Sequence, residues 1–281
     1  MSFFSGTIFS KALHMDTCVG VILPHDSRRH RGIDTLREGI TAREKPKTLI
    51  LLHGLSDNYS VWGNRTSILR YAEEYDIAVI MPEVQRSFYH DMKYGPAYFS
   101  YISEELPELA AEMFHLSADP EDLMIAGLSM GGYGALYAAL TYPEKFYGIG
   151  CFSGAFVLRD LVENNDLVNL KETAGWTKDR IAVFGESLKM PDSSDLRLLA
   201  EKNAGKPKNP RIYMTCGTED FLYDSNIRMR DLLSGLYYDI RYEEWPGIHE
   251  WGFWDISIQK MLNYFLTRDA VLFDERCGTF L

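Results

Sequence analysis

The chain has 281 residues and a formal net charge of −11 at pH 7. Hydrophobic residues make up 46% and charged residues 25%, a composition that favours a globular protein with a sizeable core over a disordered one. The acidic excess repels nucleic-acid phosphates and anionic membrane surfaces, so we expect neither as a partner. The length favours a single domain covering residues 1–281.

The cysteines and the N-terminal segment predict a cytoplasmic protein. The cysteines lie far apart, without the spacing of a zinc site or a disulfide scaffold; they are Cys18, Cys151, Cys216 and Cys277. The segment "MSFFSGTIFSKALHMD" has no basic region before its apolar residues, so we expect no signal peptide. No apolar run reaches the length of a membrane span, and we expect no metal and no cofactor.

Short apolar runs predict the strands. Residues 18–24 predict an early strand in an antiparallel edge hairpin with "GTIFSKAL". Continuous apolar runs predict strands buried on both faces; they are Thr48–Leu52, 77–82, 123–127, 147–154 and Arg211–Gly217. Residues 240–247 predict the last strand.

Helical patterns alternate with these runs, which predicts an α/β fold with a mostly parallel central sheet and helices on both faces. One apolar stripe consists of Ile102, Leu106, Leu109 and Met113, and Pro107 predicts a kink or a helix start within it. A last helix is predicted at 253–266, with inward-facing Ile256, Ile258, Met261, Leu262 and Phe265. The polar segment 156–208 fits the alternation poorly and predicts a small cap insertion over a pocket, or else a long connection.

The stretch "GLSMGGYGAL" contains the pattern G-x-S-x-G, formed by Gly127, Ser129 and Gly131. A buried strand precedes it and a helix follows, which is the context that a nucleophilic serine requires. The turn would raise the hydroxyl above the sheet, where the helix N-terminus favours negative charge. The alternative is a glycine-rich turn with an N-capping serine.

A serine nucleophile needs a base and an acid further along the chain. His249, in "WPGIHEWGFW", is the only histidine after Ser129 and follows the last predicted strand. In "CGTEDFLYD", Asp220 fits a turn that directs a carboxylate at the histidine. Asp224 is the alternative acid, although it could cap a helix instead, and Glu219 is expected to be solvated.

The remaining parts are an oxyanion hole and a pocket. "LILLHGLSDNYSVW" places the N–H of Leu55 after a central strand, where it can meet the N–H of Met130. His53 is expected to hold that loop. Trp62 and Trp251 are candidate walls of a small acyl pocket, whereas Trp254 is expected in the core.

Together, "HGLSDNYSVW", "GLSMGGYGAL", "CGTEDFLYD" and "PGIHEWGFW" resemble the esterase D family of α/β-hydrolases, and most closely its bacterial tributyrin esterases. "YGPAYFSYISEELP" extends the likeness over nearly the whole chain. The resemblance implies an α/β-hydrolase fold and hydrolysis of short-chain carboxylic esters, with Ser129, Asp220 and His249 as triad and Leu55 and Met130 as oxyanion donors.

The chain departs from the family pattern beside the histidine, where it has Ile248 and Glu250. It also departs after Leu55, where it has Ser56 and Asp57 instead of the cysteine of many formylglutathione hydrolases.

The functional hypothesis, based on the resemblance, is a serine carboxylesterase acting on small acetyl to butyryl esters through an acyl-enzyme. Alternatives are an acetyl or feruloyl esterase on plant saccharides, an S-formylglutathione hydrolase, an acyltransferase and a non-catalytic binding module. Assembly as a homo-oligomer is left open.

Overall fold

A computed structural model describes residues 1–24, 45–117, 119–163 and 176–267. Its strands form one eight-stranded sheet in the order β1-β2-β4-β3-β5-β6-β7-β8. They are β1 (Ser2–Ser10), β2 (Met15–Leu23), β3 (Thr48–Leu52), β4 (Ala78–Pro82), β5 (Leu123–Leu128), β6 (Gly148–Phe152), β7 (Arg211–Gly217) and β8 (Ile240–Trp245). β2 pairs antiparallel with β1 and β4, whereas all other neighbours pair parallel, so the predicted mostly parallel α/β fold is confirmed.

The apolar runs of the sequence became the central strands. β3 and β7 coincide with the predicted runs, and every residue of β3 to β6 is buried. The edge hairpin is also confirmed, although its strands begin earlier than predicted, at Ser2 and Met15. Residues 11–13, which the prediction had assigned to the first strand, belong to the turn.

Helices cover both faces of the sheet. They are α1 (Val61–Arg65), α2 (Ile68–Glu74), α3 (Tyr98–Ser100), α4 (Leu106–Phe114), α5 (Met130–Thr141), α6 (Leu158–Glu163), α7 (Trp176–Phe184), α8 (Leu196–Asn203), α9 (Tyr223–Gly235) and α10 (Trp251–Leu266). Along β3, Leu49 and Leu51 join the core under α2 and α10, whereas Ile50 and Leu52 join the core under α4 and α5. None of the helices in the described ranges has the length and apolar character of a transmembrane helix.

Two helical predictions are partly wrong. Residues Tyr101–Glu105 form a π-helical turn, which ends where α4 begins beside Pro107. The wider turn shifts the buried stripe, so Ala110 continues it and Met113 is 54% exposed. In α10, the buried face consists of Phe253, Trp254, Ser257, Ile258, Met261 and Leu262. Ile256 lies outside this face and is exposed.

The described part of 156–208 contains α6, α7 and α8, while residues 164–175 lie outside the described chain. Arg159 in α6 connects this helix to the start of α8 through ion pairs with Asp192 (3.0 Å) and Asp195 (2.6 Å). The hydroxyl of Tyr133 in α5 donates to the carbonyl of Ser194 at 2.9 Å, which fixes the segment over that helix. Of the cysteines, Cys151 and Cys216 are buried free thiols and Cys18 is a half-buried one; Cys277 lies outside the described residues.

The turn from β5 to α5 depends on two glycines. A Cβ atom on Gly131 would lie 2.6 Å from the carbonyl oxygen of Leu52, and one on Gly127 would lie 2.6 Å from the carbonyl carbon of Gly131. Both neighbours are backbone atoms, which cannot rotate away as a side chain can. Only hydrogen at these positions allows the start of α5 to lie against β3.

We therefore expect Gly131→Ala to destabilise the protein by about 2–3 kcal/mol, the upper range for inserting a methyl group into a packed interior. Chemical denaturation measures the change. Gly235→Ala at the end of α9 is the matched control, since its Cβ would meet nothing within 4 Å. Equal stability of the two variants would contradict this account of the turn.

Candidate active site

Ser129 joins β5 to α5 with backbone angles φ 53° and ψ −117°. A positive φ at a residue other than glycine stores about 1–3 kcal/mol of strain and persists only where the surroundings enforce it. Here the Ser129 N–H donates to the carbonyl of Phe152 at 2.9 Å, and the Ser129 carbonyl accepts from Tyr133 at 3.1 Å and Ala155 at 2.9 Å. These bonds hold the strained residue between two strands and the helix.

His249 and Asp220 are hydrogen-bonded, with 2.8 Å between Nδ1 of the imidazole and Oδ2 of the carboxylate. The Asp220 side chain has no exposed surface, and its Oδ1 also accepts from the backbone N–H of Leu222 at 2.9 Å. Burial alone would raise the pKa of Asp220, but hydrogen bonds from His249 and Leu222 and the nearby imidazole charge hold that pKa below its usual value. Asp220 is therefore an ionised partner that orients Nδ1 and leaves Nε2 for another group.

The acid and histidine loops are joined directly. The Glu219 N–H donates to the carbonyl of Gly247 at 3.0 Å, and the Glu219 carboxylate accepts from the Gly247 N–H at 2.5 Å. A Cβ on Gly217 would lie 2.2 Å from that same Gly247 carbonyl oxygen. Glu219, expected to be merely solvated, is exposed but clamps the two loops together.

Asp224, the alternative acid, lies in the first turn of α9 and is exposed. The hydrogen bond to His249 is made by Asp220 instead.

A cavity of about 440 Å³ brings Ser129 and His249 to one surface. Its lining residues are Gly54, Leu55, Ser56, Asp57, Leu128, Ser129, Phe221, His249, Glu250, Trp251 and Trp254. Met130 is fully buried behind Ser129 as the first residue of α5, where a backbone N–H has no intrahelical partner. No residue of 156–208 within the described ranges belongs to this lining, so the cap stays a prediction.

The tryptophans divide differently from the prediction. Trp251 lines the cavity, but Trp62 is fully buried beneath it, where its indole donates to the carbonyl of Leu52 at 2.9 Å. Trp62 contacts the Trp251 ring edge-on at 5.2 Å and so supports the wall without forming it. Trp254, expected only in the core, is 5% exposed yet also lines the cavity and meets the His249 ring edge-on at 4.8 Å.

The loop that carries Leu55 is fixed from behind by His53. This buried ring accepts from the Val84 N–H at Nε2 (3.2 Å), so its Nδ1 carries the proton and donates to the carbonyl of Gly54 at 2.7 Å. Asp57 closes the same turn by accepting from the Gly54 N–H at 3.3 Å. Burial raises the pKa of the Asp57 carboxyl, despite the opposing effect of nearby His53. His53 thus has the loop-holding place expected of it.

A second cavity of about 430 Å³ adjoins the first across Ser56 and Asp57, which line both. Its lining is mostly polar and consists of Ser56, Asp57, Asn58, Ser60, Val61, Asn64 and Arg65. The lining of the first cavity, by contrast, includes the aromatic side chains of Phe221, Trp251 and Trp254 and the aliphatic side chains of Leu55 and Leu128. The cavity that includes Ser129 therefore adjoins a polar cavity through the loop residues Ser56 and Asp57.

Four side chains escaped the sequence reasoning: Ser153, Asp57, Glu219 and Phe221. Ser153 carried no motif, since its neighbours come from distant parts of the chain. Glu219, Phe221 and Asp57 stood inside recognised motifs, but nothing in the sequence distinguished a clamping carboxylate from a solvated one or showed that the Phe221 ring contacts His249.

Comparison with known proteins gives consistent matches. The family described as "Putative esterase" matches residues 10–265. An acetyl esterase of Caldicellulosiruptor saccharolyticus is 32% identical over 262 residues, which cover 91% of this chain and 94% of that protein. FphF, a fluorophosphonate-binding serine hydrolase of Staphylococcus aureus, has 32% identity and a TM-score of 0.80, with 95% of this chain and 99% of that chain covered. The Staphylococcus aureus S-formylglutathione hydrolase FrmB has 32% identity and a TM-score of 0.74 over the same shares.

The family match spans nearly the whole chain, and the relatives at 32% identity are hydrolases. A parallel sheet with a strained serine at a strand-to-helix turn agrees with that match. The chain belongs to the esterase family of α/β-hydrolases and is a carboxylic ester hydrolase of the serine type.

Proposed function

We propose that the protein hydrolyses short-chain acyl esters, of the acetyl to butyryl type that tributyrin represents, with Ser129, His249 and Asp220 as the catalytic triad. The observation that carries this proposal is the 2.8 Å bond between His249 and Asp220 beside a cavity that His249 shares with Ser129. The imidazole is oriented through Nδ1, so Nε2 is the nitrogen that can take a proton.

The reaction proceeds in two halves. Ser129 Oγ attacks the ester carbonyl carbon while His249 Nε2 takes the hydroxyl proton, and the carbonyl oxygen becomes an oxyanion. The backbone N–H groups of Leu55 and Met130 stabilise that oxyanion. The intermediate then breaks its bond to the alcohol oxygen, which leaves with the proton from His249. Water attacks the acyl-enzyme in the same way and releases the acid and free Ser129.

Each step uses a feature of the described chain. The N–H of Leu55 lies on a loop held by His53, and the N–H of Met130 lies at the start of α5, where the helix dipole adds positive potential. Asp220 stabilises the imidazolium that forms in each half-reaction, because its buried carboxylate is already ionised. Both donors and the acid are fixed before the substrate binds, which lowers the reorganisation that the transition state requires.

The two cavities divide the substrate. The acyl chain lies against Trp251 and Phe221 in the apolar cavity, while the alcohol part faces the polar cavity beyond Ser56 and Asp57. The bulky aromatic side chains of Trp251 and Phe221 in the lining of this cavity favour short acyl groups. The polar side favours esters of hydrophilic alcohols over esters of long aliphatic ones.

A second candidate function is hydrolysis of S-formylglutathione, which the match to the Staphylococcus aureus enzyme favours. The cavity walls weigh against it. Among the charged side chains that line the two cavities, the carboxylates of Asp57 and Glu250 outnumber the guanidinium of Arg65, and glutathione itself carries a net negative charge. The same charges leave a neutral acetyl ester unaffected, so the ester is our first choice.

Ser129→Ala should lower kcat for p-nitrophenyl acetate by about 10,000-fold or more while the protein stays folded, because the acyl-enzyme no longer forms. A fluorophosphonate probe should label the unmodified protein and not this variant. Ser103→Ala, which removes a buried hydroxyl bonded to the Phe99 carbonyl, is the control and should be labelled normally. Labelling of the Ser129→Ala protein at the normal rate would exclude Ser129 as the nucleophile.

The acyl-chain assignment is tested by a series of p-nitrophenyl esters from acetate to octanoate. We expect kcat/KM to fall steeply beyond butyrate, and Trp251→Ala to move the optimum to longer chains because the truncation lengthens the apolar cavity. Trp245→Ala is the control: it removes a tryptophan that stacks on Phe253 at 4.2 Å outside the cavity lining, and it should leave the chain-length profile unchanged. If Trp251→Ala also leaves the profile unchanged, Trp251 does not bound the acyl site.

Asp57→Asn should raise kcat/KM for S-formylglutathione about fivefold relative to a neutral acetyl ester, since a fivefold ratio is about 1 kcal/mol and nearby charges in a partly desolvated cavity act at this scale. The amide keeps an oxygen that can accept from the Gly54 N–H. Asp224→Asn, an exposed carboxylate outside the cavity lining, is the control. An unchanged ratio in Asp57→Asn would mean that this carboxylate does not discriminate between the two substrates.

A further inference from the structure

The loop that carries Leu55 is held through its carbonyl groups. Consecutive carbonyls accept from side-chain donors: Leu52 from the Trp62 indole (2.9 Å), His53 from the Tyr89 hydroxyl (2.8 Å), Gly54 from the His53 imidazole (2.7 Å) and Leu55 from Nη1 of Arg86 (3.4 Å). The Leu55 N–H, by contrast, has no hydrogen-bond partner within the described ranges. The bonds therefore fix the peptide units of the loop and leave this N–H available to a substrate.

Two of these bonds lie on either side of the Leu55 Cα atom. A peptide unit is planar, so the bond from His53 to the Gly54 carbonyl also holds the Leu55 N–H of the same unit. The bond from Arg86 to the Leu55 carbonyl holds the next unit. Together they restrict rotation of the backbone about Leu55.

Arg86 has a second partner in the segment 156–208. Its Nε donates to Oδ2 of Asp179 in α7 at 2.8 Å, and the two side chains form an ion pair. A guanidinium is planar and rigid, so the bond at Nε fixes the direction in which Nη1 donates. The side chains of Arg86 and Asp179 are only 31% and 21% exposed, so solvent screens this pair less than a pair on the open surface.

The helix that carries Asp179 is held against the connection that carries Arg86. Downstream of Arg86, the N–H groups of Lys93 and Tyr94 donate to the carbonyls of Val183 and Ala182 in α7, each at 2.9 Å. Asp179 thus has a fixed position relative to Arg86. Since no described residue of 156–208 lines the cavity of Ser129, this chain of contacts is a route by which the segment can act on the reaction.

We propose that Arg86 is a positioning residue for ester hydrolysis, which, anchored by Asp179, fixes the loop whose Leu55 N–H stabilises the oxyanion. The inference rests on the proposed function. It gives the segment 156–208 a part in catalysis that does not require this segment to cover the cavity. Arg86 acts through the loop and not on the substrate, because it is absent from the described cavity lining.

The role predicts which kinetic constant changes. An oxyanion donor has to lie 2.7–3.1 Å from the oxygen that becomes charged, and its contribution is realised in the transition state. A loop that is free to turn about Leu55 therefore lowers kcat and leaves KM nearly unchanged.

Two variants test the two contacts. Arg86→Met removes both bonds and keeps an unbranched side chain, whereas Asp179→Asn removes only the charge of the anchor. We expect kcat for p-nitrophenyl acetate to fall about tenfold in Arg86→Met and about threefold in Asp179→Asn, which is less than the loss of a whole oxyanion donor. Should Arg86→Met fail to fold, Asp179→Asn carries the test.

Inhibition by a trifluoromethyl ketone separates positioning from a general loss of structure. Ser129 Oγ adds to the ketone carbon, His249 takes the hydroxyl proton, and the ketone oxygen becomes an oxyanion that needs the same donors. The inhibition constant should rise by the factor by which kcat/KM falls. It does not depend on the fraction of folded enzyme, so partial unfolding alone leaves it unchanged.

Arg159→Met is the matched control. Arg159 lies in the same segment, its side chain is 34% exposed, and its ion pairs are with Glu163, Asp192 and Asp195. This variant should lose stability on chemical denaturation and keep the inhibition constant of the unmodified protein.

The proposal is overturned if the inhibition constant is unchanged in both Arg86→Met and Asp179→Asn, or rises equally in Arg159→Met. A rise in Arg86→Met alone would overturn the part assigned to Asp179. Failure of the proposed function would be seen separately, as ester hydrolysis retained in Ser129→Ala.

Discussion

The site depends on one buried hydrogen bond, between the carboxylate of Asp220 and the imidazole of His249. A carboxylate without exposed surface stays ionised only where hydrogen-bond donors surround it, and here the donors are His249 Nδ1 and the Leu222 N–H. Breaking the set by removing a donor leaves a buried charge less compensated. The loops after β7 and β8 must therefore stay in contact, which the Glu219 clamp and the close approach of Gly217 to Gly247 ensure.

The parallel sheet places the reacting groups where such a bond is useful. All parallel strands point their carboxyl ends to one edge, so the loops after β3, β5, β7 and β8 meet there. Ser129 reaches that edge only because the turn before α5 is too tight for a methyl group at Gly131. The core thus decides the position of the hydroxyl, while the loops decide its chemistry.

Sequence reasoning predicted the elements whose signal is local. The strand Thr48–Leu52 and the strand-to-helix turn at Ser129 are written in contiguous letters, and the histidine after Ser129 had no competitor. It failed where the determining contact is distant in sequence. Ser153 acquires its hydrogen-bond partners from α10 and from β7. Trp62 contacts the Trp251 ring and does not line the cavity. The π-helical turn at Tyr101–Glu105 was also not predicted, because the apolar pattern was interpreted with an α-helical period throughout.

The wall shared by the two cavities has an evolutionary consequence. Ser56 and Asp57 face both the apolar and the polar side, and they directly follow the residue whose N–H is the proposed oxyanion donor. A mutation that reshapes this wall to admit a new alcohol also disturbs the donor one or two residues away. Selection on leaving-group preference and selection on turnover are therefore coupled in this short loop, whereas acyl-chain preference can change through Trp251, which belongs to α10 and not to this loop.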